Sequence, residues 1–148
     1  MNFKWISNGD IDQINDALQI RRKVFIEEQS VSPELEIDGL DSQLIHVIAY
    51  NSNHEAVATA RIMLKEDNTL AKLQRVAVLK EYRGQHVGYQ LMQEIERWSR
   101  ASHFPIKHLI LSAQDTAIPF YEKLGYKITS PEGYLDANIP HHDMAKNL

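Results

Sequence analysis

Two stretches of the chain hold residues whose types and spacing suit chemistry. The first, RVAVLKEYRGQHVGYQLM from Arg75 to Met92, joins an apolar strand to a helix through a turn that carries Arg83, Gly84 and Gly88. That junction suits an anion. The first N–H groups of a helix have no acceptor inside it and lie at the positive end of its dipole, and the two glycines let a diphosphate approach the backbone closely. Arg83 adds a positive charge. A plain strand-to-helix turn, with glycines kept for tight packing, has the same local pattern. The Gly-Lys-Ser/Thr ending of a P-loop is absent, and so is the GxGxxG of a dinucleotide fold. The second stretch, AIPFYEKLGY from Ala117 to Tyr126, sets Tyr121 on the first turns of a short helix, where its phenol is a candidate proton donor. Phe120, Tyr121 and Leu124 at helical spacing also read as ordinary core.

These residues need a frame. Phe3–Ile6 reads as a first strand, and Gly9-Asp10 offers a break and an N-cap with Gln13 three residues on, so a helix is expected from Ile11 to about Glu28. Ile11, Ile14, Leu18 and Phe25 form its apolar stripe, which Arg21 and Arg22 interrupt. Ser32-Pro33 restarts a short turn or helix. Leu44–Tyr50 and Ala56–Leu64 read as a hairpin around the turn at 51–54, and Leu70–Leu79 as a further strand. Val87, Leu91, Ile95 and Trp98 then define the clearest amphipathic helix, stopped at His103–Pro105. Leu109–Leu111 is a buried strand. Thr116–Leu124 is a short helix with Thr116 as N-cap, Pro119 at its third position and Gly125 as a left-handed cap. Tyr126–Thr129 and Asp143–Ala145 are closing strands. Strands interleaved with helices in this order predict an α/β fold around one mixed sheet.

A length of 148 residues fits one domain, which buries roughly 70% of its unfolded surface. Neither a repeat nor a Gly/Ser-rich or Pro-rich linker divides the chain. With 43% hydrophobic and 24% charged residues it has the composition of a globular protein, not of a disordered or fibrous one. Sixteen basic against twenty acidic residues, in no long block, argue against a broad grip on nucleic acid. No apolar run reaches the ~20 residues of a membrane span, and Met1–Ile6 lacks the features of a signal peptide, so no membrane partner and a cytoplasmic location are expected. The absence of cysteine excludes disulfides, thiolate metal sites and a cysteine nucleophile. His141 and His142, as strand neighbours, point to opposite faces and cannot share one ion, and the other histidines lack ligand spacing, so no metal is assigned.

Taken together and in this order, the two stretches resemble the GNAT superfamily of N-acetyltransferases, which move an acetyl group from acetyl-CoA to an amine. Arg83-Gly84-Gln85-His86-Val87-Gly88 matches the R/Q-x-x-G-x-G/A loop of that family except at its middle glycine, which is His86 here. Ala117–Tyr126 matches its A-x-x-F-Y-x-K-x-G-F/Y segment throughout. VFIEEQ (24–29), EIDGLD (36–41), SAQ (112–114) and NIPHHDM (138–144) further resemble the ElaA-like branch, in which the position of His86 varies.

The resemblance implies a GNAT-like mixed, splayed β-sheet flanked by helices on both faces. It implies that the pantetheine arm of acetyl-CoA bonds along the backbone of Val76, Ala77 and Val78 as though it were another strand. The diphosphate would rest on the amides of Gly84, Gln85, His86, Val87, Gly88 and Tyr89, beside Arg83. Gln114 stands where many relatives carry an asparagine near the cofactor, and Tyr121 is the expected general acid for the leaving thiolate. On the acceptor side only a neutral amine attacks the thioester, so a base is needed. Glu28, Asp38, Asp41 and His141 are candidates, with Glu28 and His141 first, and a structural hydrogen bond or a solvated charge is the competing reading of each. The acceptor is a small-molecule or protein amine, and a homodimer is compatible with the sequence. A rival reading is a non-catalytic acyl-CoA sensor or interaction module on the same fold.

Overall fold

The computed structural model describes residues 1–148. Its elements are β1 (Asn2–Ser7), α1 (Asn15–Arg21) prolonged by a π-helical segment Arg22–Glu28, α2 (Pro33–Glu36), β2 (Ile45–Tyr50), β3 (Ala56–Lys65), β4 (Leu70–Val78), α3 (Val87–Ala101), β5 (His108–Gln114), α4 (Ile118–Lys123), β6 (Lys127–Ile128), β7 (Tyr134–Asp136) and β8 (Ile139–Asn147). The strands form an open mixed sheet in the order β1-β2-β3-β4-β5-β8-β6, with β7 added to β8. The β4–β5 pair is parallel, whereas β1–β2, β2–β3, β5–β8, β6–β8 and β7–β8 are antiparallel. This is the mixed α/β architecture that the element order predicts. Two compact units divide the chain, Met1–Ile62 with Arg75–Arg97 and Met63–Gln74 with Trp98–Leu148.

In the first unit, Ile6, Ile14, Ala17, Ile20, Val24, Ile48, Ala77 and Leu79 make a buried apolar cluster. The expected N-terminal cap is present: the Gln13 amide donates to Asp10 Oδ1 and the Asp10 amide to Gln13 Oε1, each at 2.9 Å, the reciprocal bonding of a capping box. The helix nevertheless starts at Asn15 rather than Ile11, with turns between. Ile11 is 55% exposed while Ile14 is fully buried, so the stripe that rewards helix formation begins one turn later than its spacing suggests. Arg21, which reads as a break in that stripe, is itself buried. On α3, Val87, Leu91 and Ile95 are buried as the periodicity requires.

In the second unit, β4 pairs with β5 from Leu70↔His108 to Leu73↔Leu111, and β5 with β8 from His108↔Asn147 to Gln114↔His141. Leu109, Leu111, Ala113, Tyr121, Tyr126 and Met144 are buried. The α4 segment differs from expectation at its start. Asp115–Ala117 takes a tighter 3₁₀ turn, Ala117 replaces Thr116 as N-cap, and Pro119 lies at the second helical position, where a missing N–H is still harmless. Gly125 closes it with φ +94°, and Lys146 Nζ donates to the Leu124 carbonyl at 2.7 Å. The final strand is longer than Asp143–Ala145, and β7 is an additional strand.

Candidate active site

Within the first unit, the backbone from β4 to α3 has the shape an anion-binding turn needs. Gly84 and His86 both take left-handed conformations, φ +77° and +61°. A Cβ at Gly84 would meet nothing within 4 Å, so glycine is required there by backbone angle rather than by crowding, and the space above it is open. His86 adopts the same region without that freedom, which is the structural counterpart of its departure from the loop pattern. Its carbonyl accepts the Gln90 amide at 3.0 Å, opening α3 and leaving the preceding amides without helical acceptors by geometry. Gln85 Nε2 donates to the Glu81 carbonyl at 3.0 Å, and Tyr89 is 44% exposed.

Val76, Ala77 and Val78 follow Arg75, a non-glycine residue at φ +53°, and lie outside the four-residue register that β4 makes with β5. Ala77 is buried, while Val76 and Val78 are half-buried. Their backbone is therefore a stretch of extended chain suited to a further hydrogen-bonding partner.

Two residues expected on different sides of the chemistry meet in this unit. Arg83 donates through both terminal nitrogens to Glu28, at 2.5 and 2.9 Å, and through Nε to the Val78 carbonyl at 3.0 Å. The bond from Arg83 holds the Glu28 carboxyl below the usual range, so Glu28 is a weaker base than a free carboxylate. Asp38 and Asp41 are also ion-paired. Arg61 bonds both, at 2.8–3.0 Å, and Arg21 bonds Asp41 Oδ1 and Glu36 Oε1, each at 2.6 Å. Arg75 completes the group through the Glu36 carbonyl at 3.0 Å. His46, fully buried, donates from Nε2 to the Asp41 carbonyl at 2.8 Å, which leaves Nδ1 as an unpartnered lone pair.

The remaining expected residues belong to the second unit. Gln114 and His141 are direct cross-strand partners on β5 and β8. His141 is 8% exposed and its Nδ1 lies 2.6 Å from the Ile139 carbonyl, so Nδ1 carries the hydrogen and Nε2 the lone pair, the tautomer a general base requires. Tyr121 is also 8% exposed, packed edge-on against Phe120 and Tyr126 with ring centroids 5.1 and 5.8 Å apart. Burial pushes its phenol up to about 12, which keeps the proton on the oxygen throughout the physiological range. His142 faces away from His141, with Nδ1 2.6 Å from Asp115 Oδ1.

Beside His141 stands a group the sequence reading did not single out. The Tyr134 hydroxyl bonds Asp143 Oδ1 and Ser112 Oγ, and its ring stacks on His141 with centroids 6.1 Å apart and planes at 16°. The register Ser112↔Asp143 next to Gln114↔His141 places these four on one face of the sheet. Recognition of β7 was the missing step, because Tyr134–Asp136 is short and carries no alternation of apolar and polar residues.

A family model described as an acetyltransferase (GNAT) domain matches residues 13–148. The chain is 38% identical over 136 residues to the uncharacterized N-acetyltransferase YjcF of Bacillus subtilis, covering 92% of this chain and 94% of that protein. It is 37% identical over 146 residues to the protein ElaA of Escherichia coli, covering 96% and 92%. The crystal structure of E. coli ElaA aligns with a TM-score of 0.83 at 31% identity over 98% of each chain. An aminoglycoside 6'-N-acetyltransferase complexed with coenzyme A shares the fold, with a TM-score of 0.75 at 17% identity over 99% of this chain and 97% of that one.

Proposed function

The chain belongs to the GNAT acetyltransferase family, and from that premise we propose that it moves an acetyl group from acetyl-CoA to a primary amine by direct transfer. The observation that carries this reading is the left-handed Gly84–His86 turn opening directly into α3, with open space above Gly84. The coenzyme A bound by the aminoglycoside 6'-N-acetyltransferase of the same fold supports the choice of cofactor. In this reading the amides of Gly84–Tyr89 hold the diphosphate, assisted by Arg83, and the backbone of Val76–Val78 holds the pantetheine arm. Acetyl-CoA supplies the activated acyl group as a thioester.

The chain's own part in the reaction is proton handling. The incoming ammonium must lose a proton before it attacks, and His141, with its lone pair on Nε2, has the better chemistry for accepting it than Glu28, which Arg83 engages. When the C–S bond breaks, the leaving thiolate gains from a proton, since an ordinary thiol has a pKa of ~8.5. Tyr121 is the donor. No hydrogen bond within the chain occupies its hydroxyl, and its high pKa keeps it protonated until a strong base is generated beside it.

Tyr121→Phe tests this reading, because it keeps the ring among Phe120 and Tyr126 and removes only the hydroxyl. The expected result is a fall in kcat of about 10² to 10⁴ with acetyl-CoA affinity and melting temperature nearly unchanged, the pattern of an interaction made only in the transition state. A Phe variant with wild-type kcat removes Tyr121 from the mechanism. A protein whose melting temperature does not respond to saturating acetyl-CoA overturns the cofactor assignment, and one that binds it but releases no CoA with any amine offered is the acyl-CoA sensor instead.

A further inference from the structure

The polar group around Tyr134 has binding capacity that the proposed reaction does not use. Tyr134 is 41% exposed and sits on a strand whose three residues are all exposed, so its ring contributes little to any core. Yet it is held firmly. Its hydroxyl is fixed between Asp143 and Ser112, and one face of its ring lies on His141. The approach to β7 is equally constrained: a Cβ on Gly133 would lie 2.8 Å from the His141 carbonyl oxygen and 2.6 Å from the His142 ring, and the Thr129 amide donates to the Asp143 carbonyl at 3.0 Å. A surface aromatic pinned from several sides is preorganised for a ligand.

The charge of that ligand follows from the groups present. Asp143 is exposed, and Tyr134 engages only its Oδ1, leaving Oδ2 open. Asp136, two residues along β7 and therefore on the same side of that strand as Tyr134, adds a second exposed carboxylate. An exposed phenol face beside carboxylates attracts an ammonium by charge and by the ring quadrupole together. The same carboxylate argues against this ammonium being the nucleophile, because a neighbouring anion raises an amine's pKa and keeps it protonated and unreactive.

We infer that Asp143, Tyr134 and Ser112 form a subsite for a second, non-reacting ammonium group, so that the acceptor is a diamine or a larger polyamine rather than a monoamine. The inference rests on the transferase reading and deepens it, placing the specificity-determining cation site beside His141, the candidate base. Nε2 of His141 would then serve the reacting nitrogen while Asp143 holds its partner at the other end of the molecule.

Calorimetry on the full chain saturated with CoA tests it, with 1,4-diaminobutane, spermidine and butylamine as probes. Both polyamines are expected to bind at least tenfold more tightly than butylamine. Asp143→Asn should abolish that preference and Tyr134→Phe weaken it several-fold, each with the wild-type response of melting temperature to acetyl-CoA. Failure of wild-type protein to bind either polyamine, or a preference that survives intact in Asp143→Asn, overturns the inference. If Asp143→Asn does not fold, an undiminished preference in Tyr134→Phe overturns it equally. Acetyl-CoA binding is read separately in the melting curves, so loss of the transferase reading is distinguishable from loss of the subsite.

Discussion

The two units manage their charged groups in opposite ways. In the first, Arg21 and Arg61 are each 1% exposed and are matched by Glu36, Asp38 and Asp41, with Arg75 at the edge. Every one of these side chains has a partner of opposite sign, and the group ties α1, the segment around α2, β3 and β4 to one another. In the second, Tyr134, Asp143 and Asp115 are exposed, Ser112 and His142 lie half-buried beside them, and Asp143 keeps one carboxylate oxygen outside its bond to Tyr134. Charges taken out of water need full compensation and then define a shape. Groups left at the surface with spare capacity define nothing by themselves and are available to a ligand. The contrast separates residues that hold the frame from residues that can read a substrate.

The largest expected effect comes from opening the buried group. Arg21→Met keeps much of the volume but leaves Glu36 with Arg75, 3.4 Å away, and Asp41 with Arg61 as their remaining ion partners. Breaking a buried ion pair by removing one partner costs about 3–5 kcal/mol, and the surviving partners place this case near ~3 kcal/mol. Urea denaturation should show that loss, while Asp143→Asn on the exposed face should change stability by less than about 1 kcal/mol. Equal losses in the two variants would erase the distinction between frame and surface.

Acid sharpens the same comparison. The bond from Arg61 holds the Asp38 carboxyl down at about 2, below its ordinary 3.8. A carboxyl with a depressed folded pKa contributes stability that is fully present above its unfolded pKa and disappears as pH falls through the folded one. The window is therefore pH 4 down to 2, and because Asp38 is partly exposed, solvent screening holds the contribution to about 1 kcal/mol. Asp38→Asn should be less stable at pH 7 by about that amount and should flatten the acid limb of a stability–pH curve. An unchanged acid limb would show that Arg61 does not hold Asp38 in solution.

Much of the frame is legible in the sequence, because periodicity reports burial directly: Val87, Leu91 and Ile95 at four-residue steps are the buried face of α3. The turn at 83–88 is legible because glycine marks backbone angles that other residues avoid, and His86 is the exception that the backbone still accommodates. What the sequence conceals is pairing at a distance. Arg21 interrupts an apolar stripe and so reads as solvent-facing, yet its partners, 15 and 20 residues away, make burial favourable. Glu28 and Arg83 are 55 residues apart, and their bond turns a candidate base and a candidate phosphate ligand into one ion pair. The acceptor side depends on β7, whose three exposed residues give no periodic signal. Gln114, Tyr121 and His141 lie in segments that carry a motif, but the group around Tyr134 becomes visible only through the register of β5 and β8.

The smallest expected effect concerns His142 and Asp115, the exposed counterpart of the Asp38–Arg61 pair. The hydrogen bond to Asp115 raises the imidazole pKa above its ordinary 6.5, against the opposing effect of desolvation. The sign is opposite to that of Asp38. A histidine with a raised folded pKa contributes stability that is fully present below its unfolded pKa and is lost as pH rises through the folded one. Asp115 is 41% exposed and His142 20%, so solvent screens the pair and the effect is a shallow slope just above pH 6.5 rather than a transition. Melting temperature should decline slightly across that interval in the wild-type protein, and Asp115→Asn should remove the decline while leaving the acid limb set by Asp38 intact. If Asp115→Asn altered the acid limb instead, Asp38 would not set that limb, and the division between buried frame and open surface would not describe how this protein responds to pH.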